Sequence, residues 1–170
     1  MASGKRMKKL RVYLDTSVIN FLFAEDAPEK QSATWAFFDR AKRQGVPLSI
    51  SQVVIDEILR TPDERTRKKL LDVVSERNLY LLPLDPAEEI GRLSRAYLDA
   101  GALPTGEVDD ALHVAVCTVH MVDVLASWNF KHLANVNRER RIMAVNEGCG
   151  YVYPLRIVSP EGVLDNEQDD

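Results

Sequence analysis

The sequence has no apolar run approaching the roughly 18 residues that a membrane-spanning helix needs, so no span of that kind is expected. The basic opening, Met1 to Leu10, is not followed by an apolar stretch, so no secretion signal is expected either. Cysteine is scarce. Cys117 and Cys149 lie far apart and lack Cys-x-x-Cys spacing, which favours two reduced thiols in a cytoplasmic protein over a disulfide or a metal clasp. The three histidines, His113, His120 and His132, have no HxxxH or similar metal-binding spacing, so each is expected in packing or at the surface. A glycine-rich phosphate loop is missing. Net charge is small, −4, and the tail from Asp165 to Asp170 carries four acidic and no basic residues. The rest is near neutral, which argues against binding nucleic acid by bulk charge but leaves room for a local basic rim.

What is present is an ordinary globular composition, 45% hydrophobic and 28% charged, on 170 residues. That is enough for one domain with its own core. Short apolar runs alternate with helical periodicity. Strands are expected near Arg11 to Leu14, Val46 to Ile50, Leu79 to Leu82, Val122 to Ala126 and Leu155 to Val158. Thr61-Pro62 and Asp85-Pro86 read as a cap followed by a first-turn proline. Ser51 reads as a helix cap. Ser127 to Leu133 reads as a turn leading into a short helix, and Ser159-Pro160 as a stop. The helix from Asp109 is apolar nearly all round, as a buried helix would be. The pattern implies a three-layer α/β/α domain over residues 10–160, with a mainly parallel sheet of four to five strands. Residues 1–9 form a flexible basic leader, and 161–170 an acidic disordered tail.

Asp15 sits where the first strand passes into a helix. In an open α/β sheet this is the crevice at the carboxyl ends of the strands, where ligands bind. There a carboxylate is either a helix cap or a ligand for a cation. The same event recurs. Glu57 lies two turns into the helix after the second strand, Asp109-Asp110 opens the buried helix, and Asn129 follows the fourth strand. Each has an ordinary alternative: Asp109 and Asp110 as caps, Glu57 paired with Arg60, Asn129 as a turn residue. If Asp15, Glu57, Asp110 and Asn129 converge, they form an all-oxygen, strongly negative cluster whose like charges raise one another's pKa. Mg²⁺ or Mn²⁺ resolves that repulsion, polarises phosphate and lowers the pKa of bound water.

Leu14-Asp15-Thr16-Ser17-Val18, Val54-Ile55-Asp56-Glu57-Ile58-Leu59-Arg60, Asp109-Asp110-Ala111-Leu112-His113-Val114-Ala115 and Ser127-Trp128-Asn129-Phe130-Lys131-His132-Leu133 resemble, in order and spacing, the four motifs of the PIN domain. Among bacterial members the chain is most similar to VapC-type toxin nucleases. The resemblance spans about Arg11 to Val158. It implies a Mg²⁺- or Mn²⁺-dependent ribonuclease with Asp15, Glu57 and Asp110 as catalytic, metal-binding carboxylates. Asn129 is implied as the fourth metal position, and Asp109 as a possible substitute or helper for Asp110. Thr16 and Ser17 are expected to support the site, and Lys131 and His132 to meet RNA from its rim. The family also implies a homodimer and a partner antitoxin protein. His132 stands where an acidic residue is common, so the set holds three carboxylates. Trp128 could stack a base or simply pack, and Arg138, Arg140 and Arg141 could bind phosphate or face solvent. A haloacid-dehalogenase-type phosphatase would need a second Asp two residues after Asp15, where this chain has Ser17. The alternative outside enzymes is a degenerate PIN-like module that binds RNA or protein without cleaving.

Overall fold

A computed structural model describes residues 9–164; the expectations for residues 1–8 and 165–170 lie outside the described residues. Five short strands are laid down in chain order: β1 (Val12–Leu14), β2 (Leu48–Ser51), β3 (Tyr80–Leu82), β4 (Val124–Ala126) and β5 (Arg156–Val158). They pair in parallel in the order β3-β2-β1-β4-β5. Between and after them run α1 (Thr16–Phe21), α2 (Pro28–Gln44), α3 (Gln52–Leu59), α4 (Glu64–Glu76), α5 (Ala87–Asp99), α6 (Val108–Val119), α7 (Val136–Gly148) and α8 (Pro160–Val163). The three-layer α/β/α architecture is therefore present, with five strands.

The strand order positions the site. From β1 the chain steps outward to β2 and β3, then returns across the sheet to β4 and β5. Right-handed crossovers put the helices of the outward and return journeys on opposite faces. The reversal leaves a crevice between the carboxyl ends of β1 and β4, the switch point where open sheets bind ligands. Both strands are buried throughout, as central strands covered on both faces must be. Their register, Leu14 beside Ala126, carries on into the Asp15 N–H, which donates to the Ala126 carbonyl at 3.2 Å.

Helix ends follow local chemistry. Ser51 caps α3 by accepting from the Val53 N–H, and Gly45 closes α2 at φ 66°, a left-handed position where a side chain would be strained. Elsewhere the structure corrects the sequence reading. Thr61-Pro62 does not start α4; Asp63 does, because its Oδ2 accepts from both the N–H and hydroxyl of Thr66 at 2.8 and 2.6 Å. Asp85 does not cap α5, whose cap position is Pro86. Residues 127–135 are turns without a short helix. Ser159-Pro160 ends β5 as expected and also opens α8, whose Val163, with Leu164 after it, is buried in the core. Strand β3 is apolar in sequence but lies at the sheet edge, with Tyr80 70% and Leu81 53% exposed. No helix among the described residues is long and apolar enough to cross a membrane.

Candidate active site

Asp15 is the first residue beyond β1 and caps α1, its Oδ1 accepting from the Val18 N–H at 3.4 Å. The cap and ligand readings are thus not exclusive. That bond is long, and stronger ones come from two hydroxyls. Ser17 donates to Oδ1 and Ser127 to Oδ2, both at 2.5 Å. Only 3% of Asp15 is exposed. Burial raises its pKa, and the His113 charge and the donors from Ser127, Ser17 and Val18 offset that only in part.

Across the crevice, α3 supplies Glu57. Its Oε1 accepts from the Thr16 hydroxyl at 2.9 Å and from His113 Nε2 at 2.6 Å. Burial works against ionising Glu57. The hydrogen bond and charge of His113, helped by Thr16 and Arg60, outweigh it and hold the carboxyl below its ordinary range. His113 stands on buried α6 and is itself buried. Burial alone would favour its neutral form, but Glu57, with Asp15 and Asp110 beyond, raises its pKa. When protonated, the imidazole donates on both sides, to Glu57 at 2.6 Å and to the Tyr13 hydroxyl at 2.7 Å. Tyr13 in turn meets Ser51 at 2.7 Å. Arg60 does not take Glu57 as its direct partner; it pairs with Asp109 at 2.7 Å on the surface.

Asp110, one turn before His113 on α6, accepts from the Asn129 amide at 3.2 Å. Burial first, then the charge of Asp15, push its pKa up to about 7, with His113 opposing and Glu107 adding to the rise. The Asn129 side-chain oxygen accepts from the His132 N–H at 3.1 Å, which turns its amide nitrogen towards Asp110. Asn129 thus serves Asp110 as a hydrogen-bond donor. His132 Nε2 lies 3.7 Å from Glu107, and Lys131 is exposed on the turn.

The donor set is all oxygen: buried Asp15, half-buried Asp110 whose pKa is raised by burial and by the Asp15 charge, and Glu57, held below its ordinary range. That chemistry fits a hard divalent cation. Among the described residues no group of three or more His, Cys, Asp or Glu side chains is placed so that together they could hold a metal ion. Mg²⁺ commonly takes one or two carboxylates and keeps waters, so such a group is not required.

The sequence profile of the PIN domain matches residues 12–135, from the first residue of β1 through the turn that follows Asn129. The chain belongs to the PIN domain family. No curated protein gives a significant match. Among solved structures, VapBC2 from Rickettsia felis, bound to a DNA fragment from its promoter, superposes with TM-score 0.55 at 14% identity, covering 86% of this chain and 97% of that one. A VapBC-5 structure from Mycobacterium tuberculosis, of the VapBC family of toxin-antitoxin systems, aligns at 17% identity over 88% and 98% of the two chains, with TM-score 0.44. At such identities the first likeness speaks for the PIN fold alone.

Three residues of this PIN crevice escape sequence reasoning. His113 reads there as a packing residue, Ser127 only as part of a turn, and Tyr13 as an ordinary strand residue. A signal existed for the first. A titratable side chain in a helix otherwise apolar all round must find a buried partner, and His113 lies one turn from Asp110.

Proposed function

We propose that this PIN domain hydrolyses RNA phosphodiester bonds with Mg²⁺ or Mn²⁺, as a VapC-like toxin held in check by an antitoxin protein. The observation that carries the reading is buried Asp15 beside half-buried Asp110 at the switch point of the sheet, where the Asp15 charge helps to raise the Asp110 pKa. Holding two carboxylates this close, one of them buried, costs folding free energy unless a cation answers the charge. When bound, the ion polarises a phosphate oxygen and lowers the pKa of a coordinated water.

The chain's own residues do the rest. Asp15 and Asp110 hold the cation, and Glu57 completes the acidic side of the crevice. Ser17 and Ser127 fix both oxygens of Asp15, so the carboxylate is preorganised. Thr16 and His113 fix Glu57 in the same way. Asn129 keeps Asp110 turned inward. Lys131 and His132 stand where the strand would leave the crevice. A homodimer and a cytoplasmic setting belong to this reading.

The test is incubation of the purified protein with total cellular RNA, with Mn²⁺, with Mg²⁺ and with chelator, beside Asp15→Asn, followed by mapping of new RNA ends. Discrete ends that need metal and vanish in Asp15→Asn are expected. Ends that persist in chelator, or in the variant, would sink the proposal.

A further inference from the structure

Trp128 is the aromatic residue that the sequence offers for stacking a base, yet it is only 5% exposed and its indole N–H donates to Thr34 at 2.9 Å. It is a foundation for other rings. Phe21 packs against it at 5.8 Å between ring centroids, and Phe130 meets it edge-on at 6.0 Å. Phe130 is 45% exposed. The Lys30 ammonium lies over all three rings, 5.4 Å from the centroid of Phe21, 5.8 Å from Trp128 and 5.5 Å from Phe130. Among the described residues no carboxylate pairs with Lys30. The rings hold this cation in place through their negative faces.

The cluster adjoins the acidic crevice. Asn129, which bonds Asp110, is the residue between Trp128 and Phe130. The Trp128 backbone N–H donates at 3.0 Å to the same Ser17 hydroxyl that donates to Asp15. An exposed ring and a positioned cation therefore stand at the edge of the carboxylate site. A crevice lined by carboxylates repels a phosphate chain, and a nearby fixed cation offsets that locally.

We propose that Phe130 and Lys30 form a nucleobase subsite, in which one unpaired base of a single-stranded RNA stacks on Phe130 and the Lys30 ammonium meets the flanking phosphate. This rests on the ribonuclease reading and names where the strand is held. Base-on-aromatic stacking beside a cation is the way single strands are gripped without sequence readout. The buried Trp128 ring behind Phe130 positions it before binding, so little side-chain freedom is lost on stacking. One exposed ring and one ammonium match a single nucleotide in size.

The experiment measures equilibrium binding in chelator, so that cleavage does not enter. The probes are a short mixed-sequence single-stranded RNA and an abasic ribose-phosphate chain of equal length and charge. Wild type is expected to prefer the base-bearing strand. Phe130→Ala should weaken that strand about tenfold and leave the abasic chain unchanged. Phe130→Tyr should restore binding; Phe130→Leu should not. Lys30→Gln should weaken both probes alike and lower the salt slope by about one. The melting temperature of each variant checks the fold. Equal loss on both probes in Phe130→Ala, or no loss on either, overturns the subsite. Failure of wild type to bind either strand overturns it together with the nuclease reading. An intact binding pattern without metal-dependent RNA ends overturns the nuclease reading alone.

Discussion

The two sides of the crevice solve the problem of buried charge differently. On the α3 side, Glu57 faces His113, which carries a compensating charge, and a chain of hydrogen bonds runs on through Tyr13 to Ser51. On the β1 side, Asp15 and Asp110 face each other, with neutral donors on Asp15 from Ser17 and Ser127 and on Asp110 from Asn129. Hydroxyls and an amide orient a carboxylate but do not cancel its charge. One half of the site is therefore closed within the protein, and the other half has its charge answered only in part, by His113 from a distance. The contrast teaches where a cation is wanted, and it shows that three acidic residues in one crevice need not be equivalent.

The strongest way to break this contrast is Asp15→Asn. The substitution keeps a helix-capping side chain and removes the buried charge. Nuclease activity should fall on the order of 10³-fold or more, the scale of several kcal/mol of lost transition-state stabilisation. The melting temperature should stay level or rise. A variant that unfolds would show that Asp15 serves structure first.

His113→Ala attacks the closed half. Glu57 and the Tyr13 hydroxyl each lose a buried partner, at about 1–3 kcal/mol for each such group. Stability should drop in denaturant titrations. Activity should fall about 10–100-fold, as when the outer partner of a metal ligand is removed. If stability drops and activity per folded molecule is untouched, His113 holds the fold and not the site.

A pH series sharpens the comparison. Asp110 ionises near 3.8 when unfolded and at about 7 when folded. A raised carboxyl contributes stability that is present below its unfolded value and lost as pH rises through the folded one. Without metal, wild type should therefore lose stability relative to Asp110→Asn between about pH 4 and 7. The two curves should draw together when Mn²⁺ is added to wild type. Parallel curves in chelator would remove the repulsion from the account.

The smallest effect is expected from Tyr13→Phe. It deletes the hydroxyl linking His113 to Ser51 and should cost about 1 kcal/mol in unfolding measurements. Its effect on cleavage should be smaller than that of His113→Ala. An equal effect would place the control in the whole hydrogen-bond chain.

Much of this was legible in the sequence wherever the signal is local. Asp15 and Ser51 stand where apolar alternation gives way to helical spacing, and that change marks a crossing from strand to helix. The five parallel strands follow from the same alternation. Partnerships across the sheet were not legible. Nothing near Asp15 announces Ser127, 112 residues away in the chain, and nothing near Glu57 announces His113. Competing local choices also misled. Thr61 and Asp63 both offer a cap within three residues, and only the side chain that reaches Thr66 decides. The run Leu79 to Leu82 reads as an apolar strand, but composition carries no information about which strand ends at an edge. Trp128 outranks Phe130 as a stacking residue by chemistry, but burial reverses the order.

The place of the crevice between β1 and β4 has a consequence for biosynthesis. Asp15 leaves the ribosome 112 residues before Ser127. Closing a loop of that length must precede any reward from the contacts it makes, so the carboxylates find their partners late in folding. A nascent or truncated chain that stops short of β4 has the first aspartate and none of its cross-sheet setting. The setting of Asp15 is thus tied to synthesis of the chain through β4, and fragments that end earlier lack it by topology alone.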